Sequence, residues 1–139
     1  MSEESTTPDP VELGRRFVEA RNRGDLDAML SHFAPDPVLE STGMATRFEG
    51  VAAIRGFFED FAGAYEEYWA EPEEILDLGN GVTLSVIVQQ GRVVGSTAHV
   101  RMRFAAVTTW ADGLIVRMTL SPDIDEARAA AEHLAEERG

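Results

Sequence analysis

Apolar residues recur at helical spacing along the first half of the chain. Leu13, Phe17 and Ala20 fall on one helix face. Asp9 serves as N-cap, Pro10 as first helical residue and Glu12 as the capping-box acid, and Gly24 is a natural stop. Asp25 caps a second, short helix with the apolar face Leu26, Met29, Leu30 and Phe33, ended by Pro35 and Pro37. Val38 to Ser41 reads as a short strand running into a turn at Thr42 and Gly43. After Gly50, Ile54, Phe57, Phe58, Phe61 and Tyr65 make an i, i+3, i+4, i+7, i+11 stripe, which predicts a third helix.

The period then changes. Glu73 to Asp77 predicts a strand before the turn cluster Gly79-Asn80-Gly81, Val82 to Gln90 a second strand, and Gly91 the next turn. From Thr97 the chain alternates, with Thr97, His99, Arg101 and Arg103 on one face and Ala98, Val100, Met102 and Phe104 on the other. Carried on to Trp110 this strand is about 14 residues long, which predicts a bend near Ala105 and Ala106. Asp112-Gly113 is a two-residue hairpin signal, and Leu114 to Leu120 the last strand. Ser121-Pro122 opens a terminal helix, with Asp123 and Glu126 as an alternative capping pair. The predicted order is two helices, a strand, a helix, four strands and a helix. It describes an α+β domain whose helices cover one face of an antiparallel sheet.

Composition narrows the chemistry. The 139 residues, 44% hydrophobic and 27% charged, predict a single domain over residues 1–139. No run approaches the ~20 apolar residues of a membrane span. Met1 to Thr7 is polar and acidic, unlike a signal peptide, and together with the absence of cysteine this predicts a cytoplasmic protein. Without cysteine there is no thiol nucleophile, disulfide or cysteine-held metal centre. All 12 basic residues are arginine, and the lack of lysine excludes Schiff-base chemistry and a phosphate-loop motif. His32, His99 and His133 have no metal-ligand spacing, so neither a metal nor a cofactor is expected. A net charge of −13 argues against nucleic acid.

That charge is unevenly placed. Residues 49–77 carry nine carboxylates against Arg55, whereas residues 81–120 carry Arg92, Arg101, Arg103 and Arg117 against Asp112. The expectation is an acidic helical shell over an arginine-bearing sheet. Its arginines pair with helix acids or a partner subunit, or they hold a small anion.

Three stretches resemble a known superfamily. Arg16-Phe17-Val18-Glu19-Ala20 leads into Gly24-Asp25-Leu26-Asp27 and Phe33-Ala34-Pro35-Asp36. Phe48-Glu49-Gly50 is followed by Ala53-Ile54-Arg55 and Phe57-Phe58, and the tail reads Asp112-Gly113-Leu114-Ile115-Val116-Arg117-Met118. Over roughly residues 8–135 the chain resembles the nuclear-transport-factor-two-like superfamily, in its SnoaL-like polyketide-cyclase and steroid Δ-isomerase branches. The resemblance implies a cone-shaped curved antiparallel sheet wrapped around three helices, a mostly apolar pocket in the cone, and a homodimer joined through the sheet face.

It does not carry over the isomerase machinery. Where steroid isomerases of this shape place an aspartate base, this chain has Ser41. Phe17 stands in place of their oxyanion-binding tyrosine, and Ala106 falls near their second acid. A serine hydroxyl is a poor base, and phenylalanine and alanine donate nothing to an oxyanion. Glu40 would serve as a base only if it pointed into the cone, and alternation with Ser41 directs it outward. No Asp-Arg-Asp triplet of the epoxide-hydrolase kind is present. Tyr65, Tyr68 and Trp69 read as packing at the end of the third helix.

The first functional reading is therefore a domain that binds a small, mostly apolar molecule, its pocket drawn from Phe17, Ser41, Phe57, Phe61, Trp69, Ile87, Gln89, Phe104, Thr108 and Met118. A second is a polyketide-cyclase-like or isomerase-like enzyme with a non-standard acid or base, which requires a titratable side chain inside the cone. A third is a dimeric interaction module whose large side chains fill the cone.

Overall fold

The structure is a computed structural model that describes residues 9–139; the expectation for Met1 to Thr7 lies outside them. Asp9 caps α1 (Pro10–Asn22) by accepting from Val11 N at 2.9 Å. Asp25 does the same for α2 (Leu26–Leu30) through Ala28 N. The second helix stops short of Phe33, which instead opens β1 (Phe33–Ser41). Pro35 and Pro37 fall where the pairing register of β1 shifts, between Phe33 and Val38, a place that tolerates residues with no N–H to donate.

A four-residue strand not expected from sequence, β2 (Thr46–Glu49), pairs antiparallel with β1 before α3 (Val51–Ala64). Tyr65 does not continue the helix. Its backbone is extended, and it begins β3 (Tyr65–Gly79), which starts eight residues before the predicted strand. The acidic cluster before Gly79 thus lies on a sheet edge rather than on a helical shell. β4 (Val82–Val93) runs through Gly91, so the turn falls at Val94 and Gly95, and β5 (His99–Ala111) follows. The irregularity in β5 lies between Thr109 and Trp110 rather than at Ala105 and Ala106, where its pairing with β4 continues unbroken. The last strand, β6 (Leu114–Ser121), gives way to α4 (Ile124–Arg138). Its cap is Asp123, accepting from Glu126 N, and not Ser121.

The six strands form one curved, unclosed sheet in the order β2-β1-β6-β5-β4-β3. All pairs are antiparallel except β1 with β6, which is parallel. On the concave face α1, α2 and α3 pack Phe17, Leu30, Ile54 and Phe58 against Leu39, Trp110, Ile115 and Met118. The expectation that all helices share one face does not hold. Helix α4 packs a stripe of Ala127, Ala131 and Ala135 onto Val82, Leu84, Ala105 and Val107 on the convex side. This double cover explains why β4 and the second half of β5 are buried on both faces.

Beyond α4 the convex face carries ion pairs, in which Arg103 meets Glu73, Arg92 meets Glu66 and Glu67, and Arg117 meets Glu40. The sheet arginines are thus matched largely by acids of edge strand β3 and of β1. A homodimer through the sheet would use only the part of this face that α4 leaves free.

Candidate functional site

Strand register decides which side chains look into the cone. In β4 and β5 the pairs Ser85–Ala106, Ile87–Phe104 and Gln89–Met102 face the helices. The intervening pairs Val86–Ala105 and Val88–Arg103 lie on the other side. In β1 the same alternation turns Ser41 inward, beside Leu120, and sends Glu40 outward to Arg117.

The closed end of the cone is filled. Phe17, Ile87, Thr108 and Met118 surround a residual void of about 40 Å³, room for a water or two. Phe17 packs edge-on against Phe33 and Phe58, and Trp110 donates its indole N–H to Thr83 at 2.9 Å. At the mouth lies a cavity of about 380 Å³. Phe57, Phe61 and Phe104 form its walls, Ser41 and Gln89 give it polar atoms, and Met44 and Met102 stand exposed at the rim.

The predicted pocket residues therefore divide. Ser41, Phe57, Phe61, Gln89 and Phe104 come together at the mouth, with Phe104 also reaching the inner void shared by Phe17, Ile87, Thr108 and Met118. Trp69 joins neither group. Its strand partner is Gln90, on the convex-side register, and it is 52% exposed over an outer groove beside Arg15 and Glu19. Tyr68, one residue earlier at a bulge of β3, points inward instead and donates its hydroxyl to Gln89 Oε1 at 2.8 Å. Burial raises the Tyr68 phenol above its ordinary value, with Arg21 pulling the other way, so at neutral pH it keeps the proton it donates.

Sequence reasoning missed Arg21. It follows Phe17 by one helical turn, so the stripe Leu13-Phe17-Arg21 puts a cation where an apolar residue would continue the face. Its guanidinium carbon lies 4.8 Å from the centre of the Phe61 ring, 5.0 Å from Tyr68 and 5.2 Å from Phe58. Burial lowers its pKa from the ordinary arginine value, partly opposed by Tyr68, and leaves it a cation at any physiological pH. Each ring contributes about 0.5–2 kcal/mol of cation–π attraction, against a desolvation cost of several kcal/mol for an ion. Asn22, the next residue, fixes this end of α1 to the sheet edge. Its amide donates to Ala70 O and accepts from Ala70 N, both at 2.8 Å.

Among the described residues no carboxylate or imidazole lines the mouth, and the one charged group there is Arg21. No cluster of metal-ligating side chains is found among the described residues, and no described helix is long and apolar enough to cross a membrane. His32 lies behind the closed end, edge-on to Phe17 at 5.9 Å. Burial, and secondarily Arg16, lowers its pKa. The unfolded chain takes up a proton below about pH 6.5 that the folded chain resists, so this contribution to stability is complete above that pH and lost as the pH falls. The stability difference between wild type and His32→Gln, from urea melts at about pH 7.5 and about pH 5.5, should therefore shift against wild type at the lower pH, by no more than ~1.4 kcal/mol per unit. An unchanged difference refutes this.

The comparisons with known proteins agree with this architecture. The SnoaL-like domain profile matches residues 14–118. A Sinorhizobium meliloti protein provisionally described as a polyketide cyclase is 30% identical, with a TM-score of 0.66 over 78% of this chain and 93% of its own. An NTF2-like protein of unknown function from Burkholderia pseudomallei is 19% identical, with a TM-score of 0.73 over 88% of this chain and 96% of its own. A Catenulispora acidiphila protein with a ketosteroid isomerase-like fold, solved with trimethylamine, is 15% identical, with a TM-score of 0.74 over 91% of this chain and 94% of its own. No curated protein matches the chain.

Proposed function

The chain belongs to the SnoaL-like domain family, and from that premise we propose that it binds a small, predominantly apolar molecule at the mouth of its cone. The observation that carries this reading is the mouth cavity itself, with three phenylalanine walls, a methionine rim and the few polar atoms of Ser41 and Gln89. Apolar walls with sparse convergent polar groups suit small-molecule sites, and methionine at a rim adapts to varied apolar shapes. Binding rather than acid–base catalysis is favoured by the lining, in which no described residue offers a carboxylate or imidazole to move a proton. A small cation such as the trimethylamine of the Catenulispora protein is not the ligand we propose, because Arg21 already lies over Phe58, Phe61 and Tyr68 and puts a like charge at the mouth.

A thermal-shift series with aromatic polyketide, terpenoid and fatty-acyl compounds tests the reading. A true ligand at a hundredfold excess over its Kd stabilises by ~2.7 kcal/mol. Met102→Glu, at the rim, should abolish that shift while leaving the ligand-free melting temperature within a few degrees. Absence of any shift across the three classes overturns the proposal.

A further inference from the structure

Eight arginines, including Arg55, Arg92, Arg103, Arg117 and Arg128, pair with carboxylates among the described residues. Arg21 does not. In a chain of net charge −13, the Arg21 guanidinium lies against three aromatic rings, and no described residue accepts a hydrogen bond from it. No described side-chain nitrogen or oxygen is both sealed from solvent and unpartnered. The Arg21 nitrogens therefore remain accessible to solvent. Arg21 lines the mouth, the inner void and a third hollow bounded by Met29, Glu59 and Ala62, so it stands where the three meet.

The chemistry of this arrangement is directional. The aromatic rings hold the guanidinium in place, and its five N–H donors form a planar fork suited to two oxygens at once. Inside a partly desolvated cavity, such donors bind a charged acceptor more strongly than a neutral one. Resting on the binding reading above, we propose that Arg21 is an anion-recognition residue: the molecule that enters the mouth is a small carboxylic acid, its carboxylate gripped by the guanidinium and its apolar body lying along Phe57 and Phe104. This site lies inside the cone, apart from the sheet arginines, whose charge acids of the chain itself largely satisfy.

Three probes sharing one apolar body separate this from simple apolar binding: cinnamate, its isostere cinnamamide, and cinnamylamine, titrated calorimetrically. The field of a strongly acidic protein by itself ranks them amine first and carboxylate last. With Arg21 as the anion receptor the order reverses, and cinnamate binds about tenfold or more tighter than cinnamamide. Arg21→Met removes that preference and leaves cinnamamide affinity within about threefold of wild type, whereas Arg21→Lys keeps part of it. Acetate added to the wild-type protein displaces cinnamate but not cinnamamide, which tests the proposal even if Arg21→Met does not fold. Cinnamamide binding as tightly as cinnamate, or a preference that survives Arg21→Met, overturns the anion site and leaves the apolar pocket standing. Failure of all three probes together with the wider apolar series overturns both.

Discussion

Replacing Leu39 with alanine should lower folding stability by about 2–5 kcal/mol, among the largest effects of any single truncation in this chain. Leu39 is fully buried, and β1 is held on both sides there, opposite Phe48 of β2 and Met118 of β6. It belongs to the same packed cluster as Ile54 and Phe58 of α3. A cavity left at such a position cannot collapse, because the sheet backbone on either side is fixed by its ladders. Urea unfolding of Leu39→Ala should show a lower midpoint with an unchanged denaturant slope. Leu76→Ala, on edge strand β3 and 36% exposed, serves as the contrast and should cost well under half as much. Equal losses for the two variants would mean that the β1 side of the cone is not the rigid part of the core.

Most of the fold was legible because most of its elements obey a single period. The helices α1 and α3 and the strands β4 and β5 show it plainly, since each buries one face, or both, in a regular way. The failures fall where the period is broken. In β3, register shifts lie after Glu66, after Pro72 and after Asp77, so its side chains never alternate for long, and its exposed edge tolerates acids that read as a helix end. At four residues, β2 is too short to carry a pattern. The terminal helix was found, but its position on the convex face was not, because alanine at every fourth residue gives too little hydrophobic contrast to point to a partner surface.

The site was legible to a lesser degree, for a related reason. Alternation correctly separates Ser41 from Glu40 and Phe104 from Arg103. It says nothing of depth along the cone, so Phe17, Thr108 and Met118 fill the closed end while Phe57 and Phe61 border usable space. Trp69 and Tyr68 exchange roles across one bulge, a single-residue event that reverses which side chain enters the pocket. Arg21 was hidden by the convention that an arginine on a helix belongs to its solvent face. Its neighbours in space, Phe58, Phe61 and Tyr68, lie 37 or more positions away in sequence. The one local sign was its place, a turn after Phe17, on the apolar stripe.

Gly81→Ala is the second substitution from which a large effect is expected, about 2–4 kcal/mol. Asn80 and Gly81, at φ 57° and 79°, form the two-residue hairpin between β3 and β4, a turn that needs positive φ at both positions. A Cβ on Gly81 would sit 2.7 Å from the carbonyl oxygen of Trp110, and the same glycine accepts a hydrogen bond from Trp110 N. Backbone on both sides leaves nothing soft to yield, so β4 must move away from β5. The disturbance also reaches α4, because Asn80 donates to Ala135 O at 2.6 Å and accepts from Arg138 Nε at 2.8 Å. Gly79→Ala separates the two contributions. Gly79 also has positive φ, at 87°, but nothing lies within 4 Å of the added carbon, so only the conformational cost of about 1 kcal/mol applies. Hydrogen exchange in the last turn of α4 should accelerate in Gly81→Ala much more than in Gly79→Ala. Equal melting temperatures for the two variants would show that the contact with Trp110 is relieved without cost, and that the hairpin does not hold α4 on the sheet.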